Sequence, residues 1–187
     1  MKNNTDPTKE ILLVLRSQSG DKEAFDELLK SVQIRLWRYI SSLVGDREIS
    51  ADILQEVFLI LYRKIGWLHN PELFRAWAYR IASRESFRYL KKEARWREHI
   101  RDDEILDQIP SVENEPEYDP ELMTKIPALL SAVSPASRAV LILHYLDELT
   151  LSDTAEILDI SVGTVKSRLA YGLAVLRNRI KEGGLIS

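Results

Sequence analysis

The chain has 187 residues, 45% of them hydrophobic and 29% charged, a composition that fits one globular domain or two small ones. It contains no cysteine, so disulfides and thiolate metal sites are excluded and a reducing compartment is expected. No apolar run approaches the ~20 residues of a membrane helix, and the polar residues 1–10 lack a signal-peptide pattern. We therefore expect a cytoplasmic protein without membrane insertion.

The charges are unevenly distributed along the chain, although the formal net charge is only −3. Residues 1–97 carry 18 Lys and Arg against 13 Asp and Glu, whereas residues 98–122 carry a single Arg against 10 acids. The acidic segment also holds three prolines and few apolar residues, so it predicts a flexible linker. This asymmetry favours two domains, residues 1–97 and 123–187, joined by the linker 98–122.

Hydrophobic residues in both predicted domains recur with the period of an α-helix. One amphipathic helix is expected after Gly20, with Asp21 as its N-cap and Gly45 at its end. Further helical segments are expected over about residues 49–65, 71–97, 123–132, 136–147 and 150–181. The predicted fold class is therefore all-α, with two small helical domains and a helix-turn-helix in the C-terminal one.

The helix-turn-helix is expected over residues 150–181. Thr150 and Asp153 have the spacing of a capping box, and Ser161 supplies a second N-cap. The second helix carries five cations and no carboxylate, so DNA phosphate is the partner that fits it, with a solvated basic helix as the alternative. The N-terminal end of such a helix enters the major groove. The candidate contacts to bases or phosphates are Ser161, Thr164, Lys166, Ser167, Arg168 and Tyr171.

The helix expected over residues 71–97 combines cations with aromatic residues. Arg80, Arg84 and Arg88 repeat every four residues and so form one line along the helix. Cations contact phosphates and aromatic rings stack on unpaired bases, so the pattern is typical of a surface for single-stranded or melted nucleic acid. Arginines at this spacing without paired acids repel one another, which favours nucleic acid over simple solvation. Trp77 taken alone is more consistent with a core position.

Asp52, Gln55 and Glu56 share one face of the helix expected over residues 49–65, because their spacing is i, i+3, i+4. A face of acids and an amide on an otherwise basic domain is suited to a basic protein partner, although most such faces are merely solvated.

Taken together, these residues resemble the bacterial RNA polymerase sigma factors of the extracytoplasmic-function (ECF) type. The resemblance covers about residues 11–97 and 123–181. The run ADILQEVF (51–58) resembles the polymerase-binding helix of that family, FRAWAYRIA (74–82) its promoter-melting helix, and VGTVKSRL (162–169) its DNA-reading helix. The chain departs from the family at residues 170–173, where arginine-rich sequence is usual and Ala-Tyr-Gly-Leu stands instead.

The resemblance implies a subunit that binds the β′ and β subunits of core RNA polymerase and directs promoter-specific initiation. Asp52, Gln55 and Glu56 would contact a coiled coil of β′. The loop at about 66–73 would receive a flipped base of the −10 element, whose extrusion costs a few kcal/mol. The implied −10 contacts are Asn70, Trp77, Arg80, Arg84, Arg88 and Lys91. The implied −35 contacts are those of the helix-turn-helix together with His144, which by itself resembles a partly buried helix residue.

The resemblance also implies promoter DNA and an anti-sigma factor as partners. The alternative is a stand-alone DNA-binding regulator that uses only the helix-turn-helix, with residues 1–97 for dimerisation or sensing. An enzyme is disfavoured, because the three histidines are scattered and there is no HExxH motif, Gly-rich phosphate loop or credible acid pair. No cofactor or metal is expected.

Overall fold

The structure, a computed structural model, describes residues 7–98 and 129–182. Every regular element in these two ranges is helical, which confirms the predicted all-α class. The chain divides into two compact units, one lying within residues 7–91 and the other including residues 129–182. The expected linker, apart from Glu98, and the expected start of the second domain at residue 123 lie outside the described residues. Within the described ranges, no helix combines the length and apolar character needed to cross a membrane.

The first unit is built from α-helices connected by short turns. Among the described residues these are α1 (Pro7–Gln18), α2 (Lys22–Val44), α3 (Arg47–Lys64) and most of α4 (Phe74–Glu98). Two 3-10 turns, Ile65–Trp67 and Pro71–Leu73, connect α3 to α4. The sequence predicts α2, α3 and α4 with slightly shifted ends, whereas it does not predict α1.

Local capping sets the starts of the helices in this unit. The Ala24 amide donates to Asp21 Oδ1 at 3.0 Å, which confirms the predicted N-cap of α2, and this bond together with Arg16 lowers the pKa of Asp21. The Ile49 amide donates in the same way to Asp46 Oδ1 at 2.9 Å, so α3 starts earlier than predicted. Fully buried side chains from all four helices form the core: Val14, Leu28, Leu36, Tyr39, Ile40, Val57, Leu61 and Phe74.

The second unit contains the helix-turn-helix. Its described elements are α5 (Pro135–Leu141), a π-helical turn (Ile142–Leu146), α6 (Leu151–Leu158) and α7 (Val162–Glu182). A Cβ at Gly172 of α7 would lie 2.8 Å from Leu141 Cδ1 and 3.2 Å from its Cγ, so α5 and α7 cross so closely that any side chain there would displace the buried Leu141 side chain. This close crossing explains a glycine in a helix interior, where glycine otherwise costs about 1 kcal/mol relative to alanine.

Candidate nucleic-acid and polymerase interfaces

The helix-turn-helix is shaped by the two predicted caps. Thr150 Oγ1 accepts from the Asp153 amide at 3.1 Å, while Asp153 Oδ2 accepts from the Thr150 amide at 3.3 Å, so the capping box is confirmed. Ser161 Oγ accepts from the Thr164 amide at 3.0 Å and confirms the second cap. Asp159 turns the chain between α6 and α7 with a left-handed φ of 56°. The start of the basic helix is therefore fixed by its own sequence.

The candidate −35 residues lie mainly on the outward side of α7. Val165 and Leu169 are buried, whereas Lys166 and Tyr171 are exposed and Ser167 and Arg168 are half-buried. Ser161 Oγ and Thr164 Oγ1 lie 2.8 Å apart at the N-terminal end of the helix. The structure thus brings these six candidates together on α7 and its cap.

His144 is separate from this group, on the π-helical turn before α6. Its ring is half-buried, Nδ1 lies 2.7 Å from the Leu149 carbonyl, and the ring packs edge-on against Tyr145. This agrees with the expectation of a partly buried helix residue.

The line of arginines on α4 is less uniform than the sequence predicts. Arg84 and Lys91 are exposed and form no ion pair with other described residues, and Arg80 is half-buried. The expectation that the line lacks paired acids is wrong for Arg88, because Arg88 Nη2 forms an ion pair with Glu85 Oε2 one turn away. A glutamate three residues from an arginine lies on the same face of a helix, so the sequence spacing of Glu85 and Arg88 could have predicted this ion pair.

Trp77 is half-buried, with its ring edge-on to Phe74 at 6.4 Å between centroids. The predicted core position is therefore only partly correct. Trp77 packs against Phe74, but part of it remains accessible beside the line of arginines. Asn70, another −10 candidate, is exposed and uses Oδ1 to accept from the Glu72 amide at 3.1 Å. That bond caps the turn that leads into α4.

Two side chains at this loop are not singled out by the sequence. Trp67 projects into solvent from the turn after α3, and Gln18 of α1 donates hydrogen bonds to the carbonyls of Ile65 and Leu68 on either side of it. The exposure of Trp67 could have been predicted, because a tryptophan that follows Gly66 at the start of a loop has little around it to be buried against. No local signal identifies Gln18, because its partners lie far along the chain.

The candidate polymerase-binding face lies on the outer side of α3. Asp52 and Gln55 are exposed and Glu56 is half-buried, while the opposite side of the helix supplies buried core residues. Beside Gln55, a groove of about 370 Å³ runs between α2 and α3. Its walls are largely apolar and include Phe25, Leu29, Phe58, Leu59 and Tyr62.

Two sigma-factor families match this chain. Sigma-70 region 2 matches residues 14–96 and Sigma-70 region 4 matches residues 129–178. The ECF RNA polymerase sigma-E factor of Haemophilus influenzae is 30% identical over 179 residues, which are 90% of this chain and 94% of that protein. This chain belongs to the ECF sigma factors.

Other comparisons agree with this assignment. The ECF RNA polymerase sigma factor SigW of Bacillus subtilis is 28% identical over 88% of this chain and 93% of its own length. The sigma factor RpoE of Bartonella quintana, solved in complex with the anti-sigma factor NepR, has the same fold, with a TM-score of 0.66 at 20% identity over 84% of this chain and 96% of that one.

As an ECF sigma factor, the protein binds core RNA polymerase and directs promoter-specific initiation of transcription. A stand-alone regulator is not favoured, because a sigma region 2 covers residues 14–96, where that alternative requires only a sensor or dimerisation domain. Among the residues that the structure describes, no group of three or more histidines or acids is arranged to hold a metal ion.

Proposed function

We propose that this sigma factor initiates transcription through three surfaces, and that α3 provides the one for core polymerase. Asp52, Gln55 and Glu56 would contact a coiled coil of the β′ subunit. The main support for this assignment is that the exposed face formed by these three residues lies next to the apolar groove beside Gln55. An apolar centre with a polar rim is the usual anatomy of a protein interface.

The second surface, for the −10 element, comprises the loop between α3 and α4 and the outer side of α4. The residues assigned to it are Asn70, Trp77, Arg80, Arg84, Arg88 and Lys91. Exposed Arg84 and Lys91 are available for phosphates, and the accessible part of Trp77 lies on the same helix for contact with bases. The ion pair with Glu85 partly neutralises the charge of Arg88, so we expect Arg88 to bind phosphate more weakly than Arg84 does.

The third surface, for the −35 element, is the outward side of α7 with its cap. The residues assigned to it are His144, Ser161, Thr164, Lys166, Ser167, Arg168 and Tyr171. A basic helix with a capped N-terminus supports insertion into the major groove, with Lys166 and Ser167 toward base edges. Tyr171 replaces one of the arginines usual in the family, so we expect fewer phosphate contacts at this point and a shallower salt dependence of −35 binding.

Control by an anti-sigma factor is part of the proposal. The RpoE relative was solved in complex with such a factor, and we infer that a partner of the same kind covers the α3 and α7 surfaces here. The domain bounds that we propose are 1–97, 98–122 and 123–187, with the acidic middle segment as a tether. The protein is proposed to act in the cytoplasm, without catalytic activity of its own.

Run-off transcription with purified core polymerase on a promoter library tests this function. We expect promoter-dependent transcripts that disappear with Asp52→Ala combined with Gln55→Ala, because the proposed contact to β′ is lost. Both side chains are exposed, so the double variant should still fold. Glu23→Ala, which removes an exposed acid from α2, is the matched control and should transcribe normally. Normal transcription by the double variant would refute the α3 assignment, and failure of the wild-type protein with several bacterial core enzymes would refute the function itself.

A further inference from the structure

Four exposed large apolar side chains occur on α1 and on the loop between α3 and α4: Leu12, Leu15, Trp67 and Leu73. Their accessible fractions are 54%, 47%, 72% and 46%. Leu12 and Leu15 are three residues apart, so they are neighbours on one face of α1. Single exposed apolar residues are ordinary, whereas a group of them in one region is typical of an interaction site. These four residues are called the apolar patch below.

The helix α1 lies along this loop and is fixed to it at both ends. At the C-terminal end of α1, Gln18 Nε2 donates to the backbone carbonyls on either side of Trp67, at 3.0 and 2.7 Å. At the N-terminal end, Arg75 Nε pairs with the buried carboxylate of Glu10 at 2.6 Å, two residues after Leu73. The helix α1 thus braces the loop, and the apolar patch has Trp67 at one end and Leu73 at the other, with the two leucines between them along the helix.

The two ends of the apolar patch carry opposite charges. Arg63 and Lys64 are exposed immediately before the Trp67 turn, and Lys64 Nζ lies 5.6 Å from the centroid of the indole. At the other end, Glu72 is exposed beside Leu73. None of these three charged side chains forms an ion pair with another described residue, so all three are available to a partner.

The helix between the two ends adds no net charge. Its cations Lys9 and Arg16 each form an ion pair at 2.6 Å, with Glu27 and Asp21 respectively. The apolar patch is therefore positive at one end, neutral in the middle and negative at the other end.

This distribution of charge selects the kind of partner. A surface with opposite charges at its two ends is complementary to a second copy of itself related by a two-fold axis, because the positive end of each copy then meets the negative end of the other. An anionic lipid surface or a nucleic acid would instead call for positive charge over the whole patch.

We propose that the free protein forms a two-fold dimer through the apolar patch. Leu12 and Leu15 lie at the centre, and Arg63 and Lys64 of each copy face Glu72 of the other. Four apolar side chains make a small interface, so the dimer is transient, with a dissociation constant of about 10 μM. The second copy covers the loop proposed above for the −10 element, and on the basis of that proposed role the dimer is an inactive form.

Sedimentation velocity of the full chain, over concentrations that bracket the expected dissociation constant, tests the dimer. Wild-type protein should pass from monomer to dimer. Leu12→Gln combined with Leu15→Gln should raise the dissociation constant at least about ten-fold, because the apolar centre is lost while glutamine keeps a helix propensity close to that of leucine. Ile34→Gln is the matched control, since Ile34 is 60% exposed on α2, and it should leave the dimer unchanged.

A dimer that the double variant of α1 leaves intact, or that the control weakens equally, would overturn the proposal. So would a wild-type protein that stays monomeric throughout, and binding of that monomer to anionic lipid vesicles would then identify a lipid as the occupant. The unfolding midpoint of the double variant checks that it is folded.

A charge exchange tests the two-fold arrangement without touching the apolar centre. Glu72→Lys should be monomeric, because lysine would face the cations of the other copy. Arg63→Glu combined with Lys64→Glu should also be monomeric, because both glutamates would face Glu72. A mixture of the two variants should associate again, since each variant end then meets an opposite charge. Failure of the mixture to associate would refute the pairing of the two ends.

The inactive state is tested by a covalent dimer. The chain contains no cysteine, so Leu15→Cys provides a single position for a short bismaleimide crosslinker. The crosslinked dimer should lose promoter-dependent transcription with core polymerase, whereas the same variant capped with N-ethylmaleimide should transcribe. Normal transcription by the crosslinked dimer would overturn the inactive state. If the wild-type monomer were inactive as well, the proposed function would fail, and sedimentation alone would decide on the dimer.

Discussion

The two regions that we propose to contact DNA are held in different ways in this sigma factor. The helix-turn-helix is held by neighbours in sequence, since Thr150 bonds to Asp153 and Ser161 to Thr164. The loop before α4 is held by distant residues, since Gln18 reaches carbonyls 47 and 50 residues further along the chain. The caps of the first region are therefore encoded locally, whereas the hydrogen bonds from Gln18 to the second form only once α1 has docked.

The largest effect on the unit that contains the helix-turn-helix is expected at the close crossing of α5 and α7, a contact between distant residues that the local caps do not supply. Gly172→Val should destabilise the second unit by about 3 kcal/mol, because its side chain would overlap buried Leu141. Gly163→Val in the same helix is the matched control, since a Cβ there would meet only Ser161 Oγ at an ordinary 3.6 Å. Denaturant unfolding followed by circular dichroism measures both, and equal effects would show that the crossing is not tight.

Arg75→Ala tests the ion pair between Arg75 of α4 and Glu10 of α1, which joins residues far apart in the sequence of the first unit. It leaves the buried carboxylate of Glu10 without its partner and should cost about 2 kcal/mol, less than for a fully buried pair because Arg75 is partly exposed. Adding Glu10→Gln should recover part of the loss, which a double-mutant cycle on the unfolding free energy would detect. Independent, additive effects would mean that Arg75 and Glu10 do not stabilise the first unit as a pair.

A smaller effect is expected from the capping box. Thr150→Ala should destabilise the second unit by about 1 kcal/mol through loss of the N-cap of α6. Ser152→Ala, an exposed neighbour without a capping role, should change the unfolding midpoint little. A similar cost for both substitutions would contradict the assignment of the cap.

The smallest expected effect is a gain in stability. Glu148 and Asp159 both have a φ of 56°, a left-handed conformation that glycine adopts at lower cost. Glu148→Gly should therefore stabilise the second unit by about 0.5 kcal/mol, and Asp159→Gly by less, since aspartate tolerates this conformation better. Thermal unfolding can rank the two, and destabilisation by Glu148→Gly would show that its side chain makes a contact worth more than the strain.

The sequence predicts features that depend on nearby residues and misses those that depend on distant ones. Periodicity predicts α2, α3 and α4, and capping patterns predict Asp21 and Ser161 as N-caps. The bracing by α1 is missed because Gln18 acquires its role only from the folded position of the loop. The role of Gly172 is likewise invisible until α5 packs against it. The DNA and polymerase assignments come from residue type and resemblance, and they remain predictions at the level of single side chains.

The bracing by α1 has a consequence for engineering promoter choice. The helix-turn-helix carries its own caps, so residues 150–182 and the α5 surface beneath them are suited to transfer between related sigma factors. A graft of the loop and α4 alone would leave the Ile65 and Leu68 carbonyls facing a foreign helix. A chimera intended to move −10 preference must therefore take two separated stretches of chain, with α1 as the second.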